Sequence, residues 1–338
     1  MTDTLVDRIR NNDGELKELR LTEEPPAYCA KVSDLTDAFQ SNSNIEYIRF
    51  DRDFLPALEP SECDGFFKSI GGISSLKEAQ IWHASLSVKV LSTFIAAARN
   101  LESLQLGFLH LEGTQEDFIE VADALKEHPS LRAFCMLDFS LNDNSVSMDG
   151  LIEVLSTLPK LEMVKLEVTH SRRSSLVGVA MAVKPVQVVL SGNALAHIFK
   201  SKSLQVMHLG RLVLQTNDYS VLADAIQSAP ALKSLSLSKC GLDDSSCAII
   251  TKAIGKNKTL ERVDLSCNSI SDEGCKWIAS GLQDNHTIKF LRLWGNSQIT
   301  SAGFDTISNM LGSGVLERVP LMTPFKMDPS FVVGATLA

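Results

Sequence analysis

The apolar positions of this chain fall into a recurring frame. It is clearest from Leu260 to Ile288, where LERVDLSCNSISDEGCKWIASGLQDNHTI sets Leu260, Val263, Leu265 and Ile270 around Asn268. This is the pattern L-x-x-L-x-L-x-x-N-x-L, a short strand running into a turn. From Asp272 to Gln283 the spacing changes. Ile278 and Leu282 stand four apart with Trp277 and Gly281 beside them, which predicts a helix. The unit is strand, turn and helix, and the next begins 28 residues on. One unit cannot bury its own apolar face, so it must stack on copies of itself.

Frames of this kind, with substitutions, start at Leu16, Ile45, Leu76, Leu101, Leu131, Leu161, Leu204, Leu232, Leu260, Ile288 and Leu316. Their spacings are 29, 31, 25, 30, 30, 43, 28, 28, 28 and 28 residues. The N-terminal half is more eroded; Ala79 and Phe134 replace the second leucine. Two readings fit the interval of 43. A further frame at Val183, Val186 and Val188 would split it into two short repeats, or one repeat carries an insertion around Arg172 to Val183. The short repeats are preferred, because Ser191 and Asn193 can start a brief helix through Phe199.

Helical spacing is predicted over Val32–Gln40, Val88–Arg99, Gln115–Glu127, Met148–Thr157, Asp218–Gln227, Ser245–Gly255 and Ala302–Leu311. Asp218, Ser245 and Ser271 are expected to cap helix N-termini. Gly255 and Gly281 are expected to supply positive φ near helix ends. The chain thus reads as a single solenoid over 1–338 with about 11–12 repeats. A cap helix bearing Leu5, Val6 and Ile9 lies within 1–15, repeats occupy 16–321 (irregular at 161–203), and 322–338 form a C-terminal cap. An open solenoid needs such covers.

Composition narrows the chemistry. The net charge of −9 disfavours nucleic acid, which needs a concentrated basic surface. Met1 to Gly14 is polar and mixed in charge, unlike a secretory signal, and the apolar run Leu176–Leu190 is too short to span a bilayer. The seven cysteines are odd in number and form no C-x-x-C, which suits free thiols in a cytoplasmic, reducing setting. Asn257 and Asn285 stand in sequons but precede frame starts, where a structural role in the loop is expected.

Asn268, Ile270, Asp272 and Gly274, followed by Ile278, Ala279 and Leu282, resemble the ribonuclease-inhibitor class of leucine-rich repeats. The next unit carries Asn296, Ile299 and Gly303 with one inserted residue. The preceding unit keeps the frame with Cys240 in the Asn slot and Ser246 in the Gly slot. The class includes ribonuclease inhibitor, the Ran GTPase-activating protein, tropomodulin-like actin regulators and the sensing ends of nucleotide-binding immune receptors, which use the array to hold protein partners. The resemblance implies an α/β fold: a right-handed horseshoe with a concave parallel sheet and convex helices.

Alternation then points the third, fifth and seventh frame positions at the concave face. Two groups stand out there. Arg262, Asp264, Phe290, Arg292, Trp294 and Arg318 gather near the C-terminal end, and Tyr47, Arg49 and Trp82 near the N-terminal end. Trp, Tyr and Arg dominate binding energy most often, so these are the candidate partner-binding residues. The competing reading folds Trp82 and Trp294 over the rim as packing. Ser234, Ser236 and Ser238 form a flat surface between the groups. Asn268 and Asn296 are expected to bond turn backbone and bridge repeats, with Cys240 in the same role.

Catalytic signals are missing. H-E-x-x-H, G-x-S-x-G and G-x-G-x-x-G do not occur, and the histidines show no zinc spacing. Gly255–Thr259 lacks the first glycine of a phosphate loop. Asp243–Asp244 and Asp272–Glu273 sit where negative charge favours a helix start. The expectation is a non-catalytic interaction scaffold for a protein partner, with no cofactor, metal, small-molecule substrate, nucleic acid or membrane. The alternatives are a regulator in trans of a partner enzyme, such as a GTPase-activating array using Lys239 or Arg211, and a cytoskeleton-binding array.

Overall fold

The computed structural model describes residues 4–315, apart from 52, 56–57, 142–144, 169–186 and 215–218. The frame start Leu316, the candidate Arg318, the cap at 322–338, the helix cap Asp218 and the stretch 172–183 lie outside the described residues.

The first half of the chain forms α1 (Leu5–Arg10), β1 (Glu18–Leu21), α2 (Val32–Gln40), β2 (Tyr47–Phe50), α3 (Pro60–Gly71), β3 (Glu78–Trp82), β4 (Ser85–Ser87), α4 (Val88–Ala97), β5 (Ser103–Gly107), β6 (His110–Glu112), α5 (Gln115–Leu125), β7 (Ala133–Leu141), β8 (Ser145–Ser147) and α6 (Asp149–Thr157). The second half forms β9 (Met163–Val168), β10 (Gln187–Leu190), α7 (Gly192–Ile198), β11 (Val206–Gly210), β12 (Val213–Leu214), α8 (Tyr219–Ser228), β13 (Ser234–Ser238), α9 (Asp244–Lys256), β14 (Arg262–Asp264), α10 (Asp272–Leu282), β15 (Phe290–Arg292) and α11 (Ser301–Val315). Ten frames become ten strands of one parallel sheet, β1-β2-β3-β5-β7-β9-β11-β13-β14-β15. The helices pack in sequence order as a second layer. The core lies between the layers, where frame residues such as Leu19, Leu21, Val263 and Leu265 are buried.

Strand register equals frame spacing. Glu18 lies opposite Tyr47, and Ser234, Arg262 and Phe290 line up at intervals of 28. The interval of 43 is crossed in one step, with Met163 opposite Val206. Of the extra frame, Val183 and Val186 lie outside the described residues, and the strand that holds Val188 is not part of this sheet. Val188 instead lies opposite Val146 in a second sheet, β12-β10-β8. There β10 leads into α7 through the N-cap Ser191, as β8 precedes α6. The brief helix stands where the sequence puts it; the strand before it belongs to the side layer.

Where the leucine frame erodes, phenylalanines fill the core. Phe39, Phe50, Phe66, Phe67 and Phe94 meet at ring separations of 5.6–5.8 Å, apart from the Phe50–Phe66 pair at 5.9 Å. At the N-terminal end, α1 buries Val6 and Ile9 against the array. Two expectations about helix ends are corrected. The cap of α9 is Asp243, which accepts the Ser246 N–H at 2.8 Å, because the Ser245 hydroxyl is spent on Asp243 Oδ1. Gly255 and Gly281 lie inside α9 and α10 rather than in the left-handed region, and a methyl on Gly255 would collide with the Gly281 carbonyl oxygen. These glycines serve close helix packing.

Buried backbone groups in the turns need partners, and side chains supply them. At strand exits, Asn296 Oδ1 accepts the N–H groups of Asn268 and Ile270, and its Nδ2 donates to Leu265 and Leu293 carbonyls. Asn268 repeats this on Cys240, Leu242, Leu237 and Leu265. Cys240 takes the slot with its thiol, donating to the Leu209 carbonyl at 3.3 Å. At strand starts, the residue three before the frame does the same work. Asn257 and Asn285 accept the next N–H groups and donate to carbonyls of the preceding repeat, and both are buried, as expected of structural sequon residues. His128 fills this slot too: Nδ1 accepts the Leu131 N–H and Nε2 meets the Ala98 carbonyl at 3.0 Å.

Two predictions follow the packing. Alanine normally stabilises a helix over glycine by about 1 kcal/mol. Gly255→Ala should instead lower the unfolding free energy by about 1–3 kcal/mol in denaturant titration, through overpacking. For His128, burial lowers the pKa from 6.5, so the unfolded chain takes up the proton first and stability falls as pH drops below about 6.5. His128→Asn should keep stability at pH 7 within about 1 kcal/mol and flatten the loss between pH 6.5 and 5, measured as melting temperature against pH.

Candidate functional site

The concave sheet carries two rows of side chains, strand steps being about 4.8 Å. The third frame positions read Glu18, Tyr47, Glu78, Ser103, Ala133, Met163, Val206, Ser234, Arg262 and Phe290. The fifth positions read Arg20, Arg49, Gln80, Gln105, Cys135, Lys165, His208, Ser236, Asp264 and Arg292. The face is tighter than alternation alone suggests. Gln80, Cys135, Lys165, Asp264 and all three serines of β13 are buried, because in-register neighbours shield one another.

At the N-terminal end the structure brings Tyr47, Arg49 and Trp82 together and adds residues the sequence did not single out. The Arg20 guanidinium lies 5.8 Å from the Tyr47 ring, and Arg49 lies 5.9 Å from the Trp82 ring while pairing with Asp51 at 2.8 Å. Trp82 donates to Gln80 Oε1 at 3.2 Å and rests on Gly107, where any side chain would strike its ring. Phe108 packs at 6.1 Å from Trp82 and stacks on His83 at 4.6 Å. Trp82 is thus held as packing, and the open surface of this stack belongs to Phe108, 47% exposed.

His83 and Phe108 belong to a further row. The eighth frame residue is left-handed at His83, Phe108, Asp138, Arg211, Lys239, Cys267 and Gly295, with φ from 50 to 76°. In this conformation the N–H still reaches the next repeat: Lys239 donates to the Ser266 carbonyl at 3.0 Å and Cys267 to the Trp294 carbonyl at 2.8 Å. The sheet gains one rung beyond the strand. A fixed offset of seven from each frame start was the available signal, hidden because the slot selects a backbone conformation rather than a side chain.

In the centre, Glu167 meets Lys239 at 3.1 Å and His208 at 3.4 Å, and Arg211 meets Asp138 at 3.7 Å. Burial pushes the Cys135 thiol up to about 11 and the Cys240 thiol up to about 12, so both are protonated at neutral pH. Among the described residues, no group of three His, Cys, Asp or Glu is placed to hold a metal ion. No described helix is long and apolar enough to cross a membrane. All seven cysteines are free.

At the C-terminal end the register unites Arg262, Asp264, Phe290 and Arg292 on adjacent strands. Arg262 lies 5.2 Å over the Phe290 ring. Asp264 is only 6% exposed and its Oδ1 accepts the Ser266 N–H, so it holds the turn rather than offering an open carboxylate. Trp294 is 53% exposed, the greatest exposure of any large apolar side chain on this face.

The Glu167 cluster sets a pH dependence. Burial raises its carboxyl pKa, but the facing His208 ring and the Lys239 ammonium outweigh this and hold it down at about 2, against an ordinary 4.5. A depressed folded pKa gives stability that is present above about pH 4.5 and lost as pH falls toward 2. The contribution is up to about 3 kcal/mol. Glu167→Gln should lower stability at pH 7 and flatten the unfolding free energy between pH 4.5 and 2.

Comparison with known proteins places the fold. The family model described as Leucine Rich repeat matches residues 256–279. No curated protein matches the sequence. Among solved structures, the yeast Rad7–Elc1 complex is similar at 15% identity over 84% of this chain and 71% of that one, with a TM-score of 0.44. A Bacteroides fragilis protein is similar at 15% over 79% and 70%, with a TM-score of 0.46. TLR13 in its complex with ssRNA13 is similar at 16% over 87% of this chain and 35% of that one, with a TM-score of 0.49. At such values they carry no information about a shared partner. The matched segment spans the end of α9, β14 and most of α10, the strand–turn–helix unit whose frame recurs on all ten strands of the sheet. Residues 256–279 match the leucine-rich-repeat family, and the other repeats of the chain are built on the same frame.

Proposed function

We propose that the chain is a non-catalytic scaffold that holds a protein partner on its concave face, anchored at the C-terminal end by Trp294, Phe290, Arg262 and Arg292. The observation that carries this is the half-exposed Trp294 ring beside the Arg262–Phe290 pair at the C-terminal end of the face. A large aromatic left in water beside an arginine over a ring is the chemistry of an interface anchor. The parallel sheet fixes these groups before binding, which limits the entropy lost on association. Free, unpaired thiols support a reducing, intracellular setting. At the N-terminal end, Tyr47, Arg49 and Trp82 serve as the supporting stack, with Phe108 as the contact. A trans-acting regulator would extend Lys239 or Arg211 toward its partner, but both are engaged by carboxylates, Glu167 and Asp138. No observation favours a cytoskeletal ligand.

Trp294→Ala and Arg292→Ala should each weaken retention of the partner at least about tenfold, a loss of about 1.4 kcal/mol, in quantitative affinity purification from the source cell. The melting temperature should stay within about 2 °C. If Trp294→Ala instead destabilises the protein as a core truncation does, the ring is packing and the anchor reading fails.

A further inference from the structure

Two charged side chains are buried among the described residues, Asp264 and Lys165. Asp264 accepts a backbone N–H and lies in register with Arg292. Lys165 is 7% exposed, stands between Cys135 and His208 on the concave sheet, and has no carboxylate within 4 Å among the described residues. The nearest acidic residue on its own strand face, Glu167, is taken by His208 and Lys239. Its side chain is largely covered while its ammonium has no counter-charge, so a carboxylate supplied from outside would pair with a cation the face leaves unmatched.

A second cation, half-buried, also lacks a counter-charge. Arg262 has no ion pair among the described residues; its guanidinium lies over Phe290, and its buried Nε has no hydrogen-bond partner. Between the two lie His208, which faces Glu167, and the serines of β13, where the Ser236 hydroxyl is buried and likewise unpartnered. Three strand steps separate Lys165 from Arg262, about 15 Å. We propose that this half of the concave face seats an acidic segment of the partner protein, its carboxylates pairing with Lys165 and Arg262. In an extended segment crossing the strands, acidic residues four or five apart span that distance at about 3.3 Å per residue. Charge complementarity supports this occupant: the chain as a whole carries −9, while this part of the face presents unpaired cations. Two isolated cations suit sparse carboxylates better than a nucleic acid, whose duplex carries a charge every 1.7 Å or so.

The inference rests on the concave-face reading above and is tested separately. Fluorescein-labelled decaglutamate is titrated by anisotropy against wild type, Lys165→Met, Arg262→Gln and, as a convex-side control, Lys252→Met, with decaserine and a ten-nucleotide uridine RNA as comparison probes. Wild type and Lys252→Met should bind decaglutamate alone. Lys165→Met and Arg262→Gln should lose at least about tenfold in affinity, and rising salt should weaken all binding. Lys165→Met should melt at or above the wild-type temperature, since it keeps the apolar stem on a largely covered side chain and removes an unpaired charge. Unchanged affinity in Lys165→Met, no binding of decaglutamate, equal or tighter binding of the RNA, or a lower melting temperature for Lys165→Met overturns the proposal. If a partner lost by Trp294→Ala is retained by Lys165→Met, the concave-face reading stands and the acidic-segment reading fails.

Discussion

The array depends on side chains that satisfy the backbone of the neighbouring repeat. Strand, turn and helix follow one another so tightly that turn N–H and carbonyl groups lie where water cannot reach them. Asn268 and Asn296 answer this at strand exits, and Asn257, Asn285 and His128 at strand starts. Each bonds groups in its own repeat and in the one before, so no repeat is complete alone. Aspartates at helix starts add a third link: Asp244 accepts the Ser271 N–H and Asp272 accepts the Thr300 N–H. An unsatisfied buried group costs about 1–3 kcal/mol, comparable with the burial of a leucine. Polar side chains thus fix the stacking that the leucines drive.

Much of this was readable in the sequence, because a parallel solenoid converts spacing directly into register. Frame intervals of 25–31, and the single one of 43, became strand offsets, and a period-two core became a ladder. What stayed hidden was set by context. His128 does the work of asparagine with a ring, so a pattern search for asparagine passes over it. The strand at 187–190 has the composition of a sheet strand, but only three-dimensional neighbours assign it to the side layer. Glycines at 255 and 281 sit at sequence positions that suggest helix ends, yet the constraint on them is the backbone of the next helix.

The candidate face was legible in part for the same reason. Arg262, Phe290 and Arg292 meet because their frame positions meet. Exposure was not legible. Alternation places Asp264 and Lys165 on the concave side, but the closeness of parallel neighbours buries both. Trp82 and Trp294 occupy equivalent frame positions and differ entirely in surroundings, one ring clasped by Arg49, Gly107 and Phe108 and the other left open. That difference arises at the left-handed residues beyond the strands: Phe108 packs beside the first ring, and His83 stacks on Phe108.

The glycine contact between α9 and α10 also governs shape. Strands repeat at about 4.8 Å and packed helices at about 8–10 Å, so every repeat is a wedge, and the wedge angle bends the array. Gly255 and Gly281 let two helices approach more closely and thin the outer edge of the wedge. A thinner wedge bends less, so this contact favours a flatter sheet at β13, β14 and β15, the strands nearest Arg262 and Trp294. The shape of the concave face is thus tied to the helix layer behind it, through two missing methyl groups.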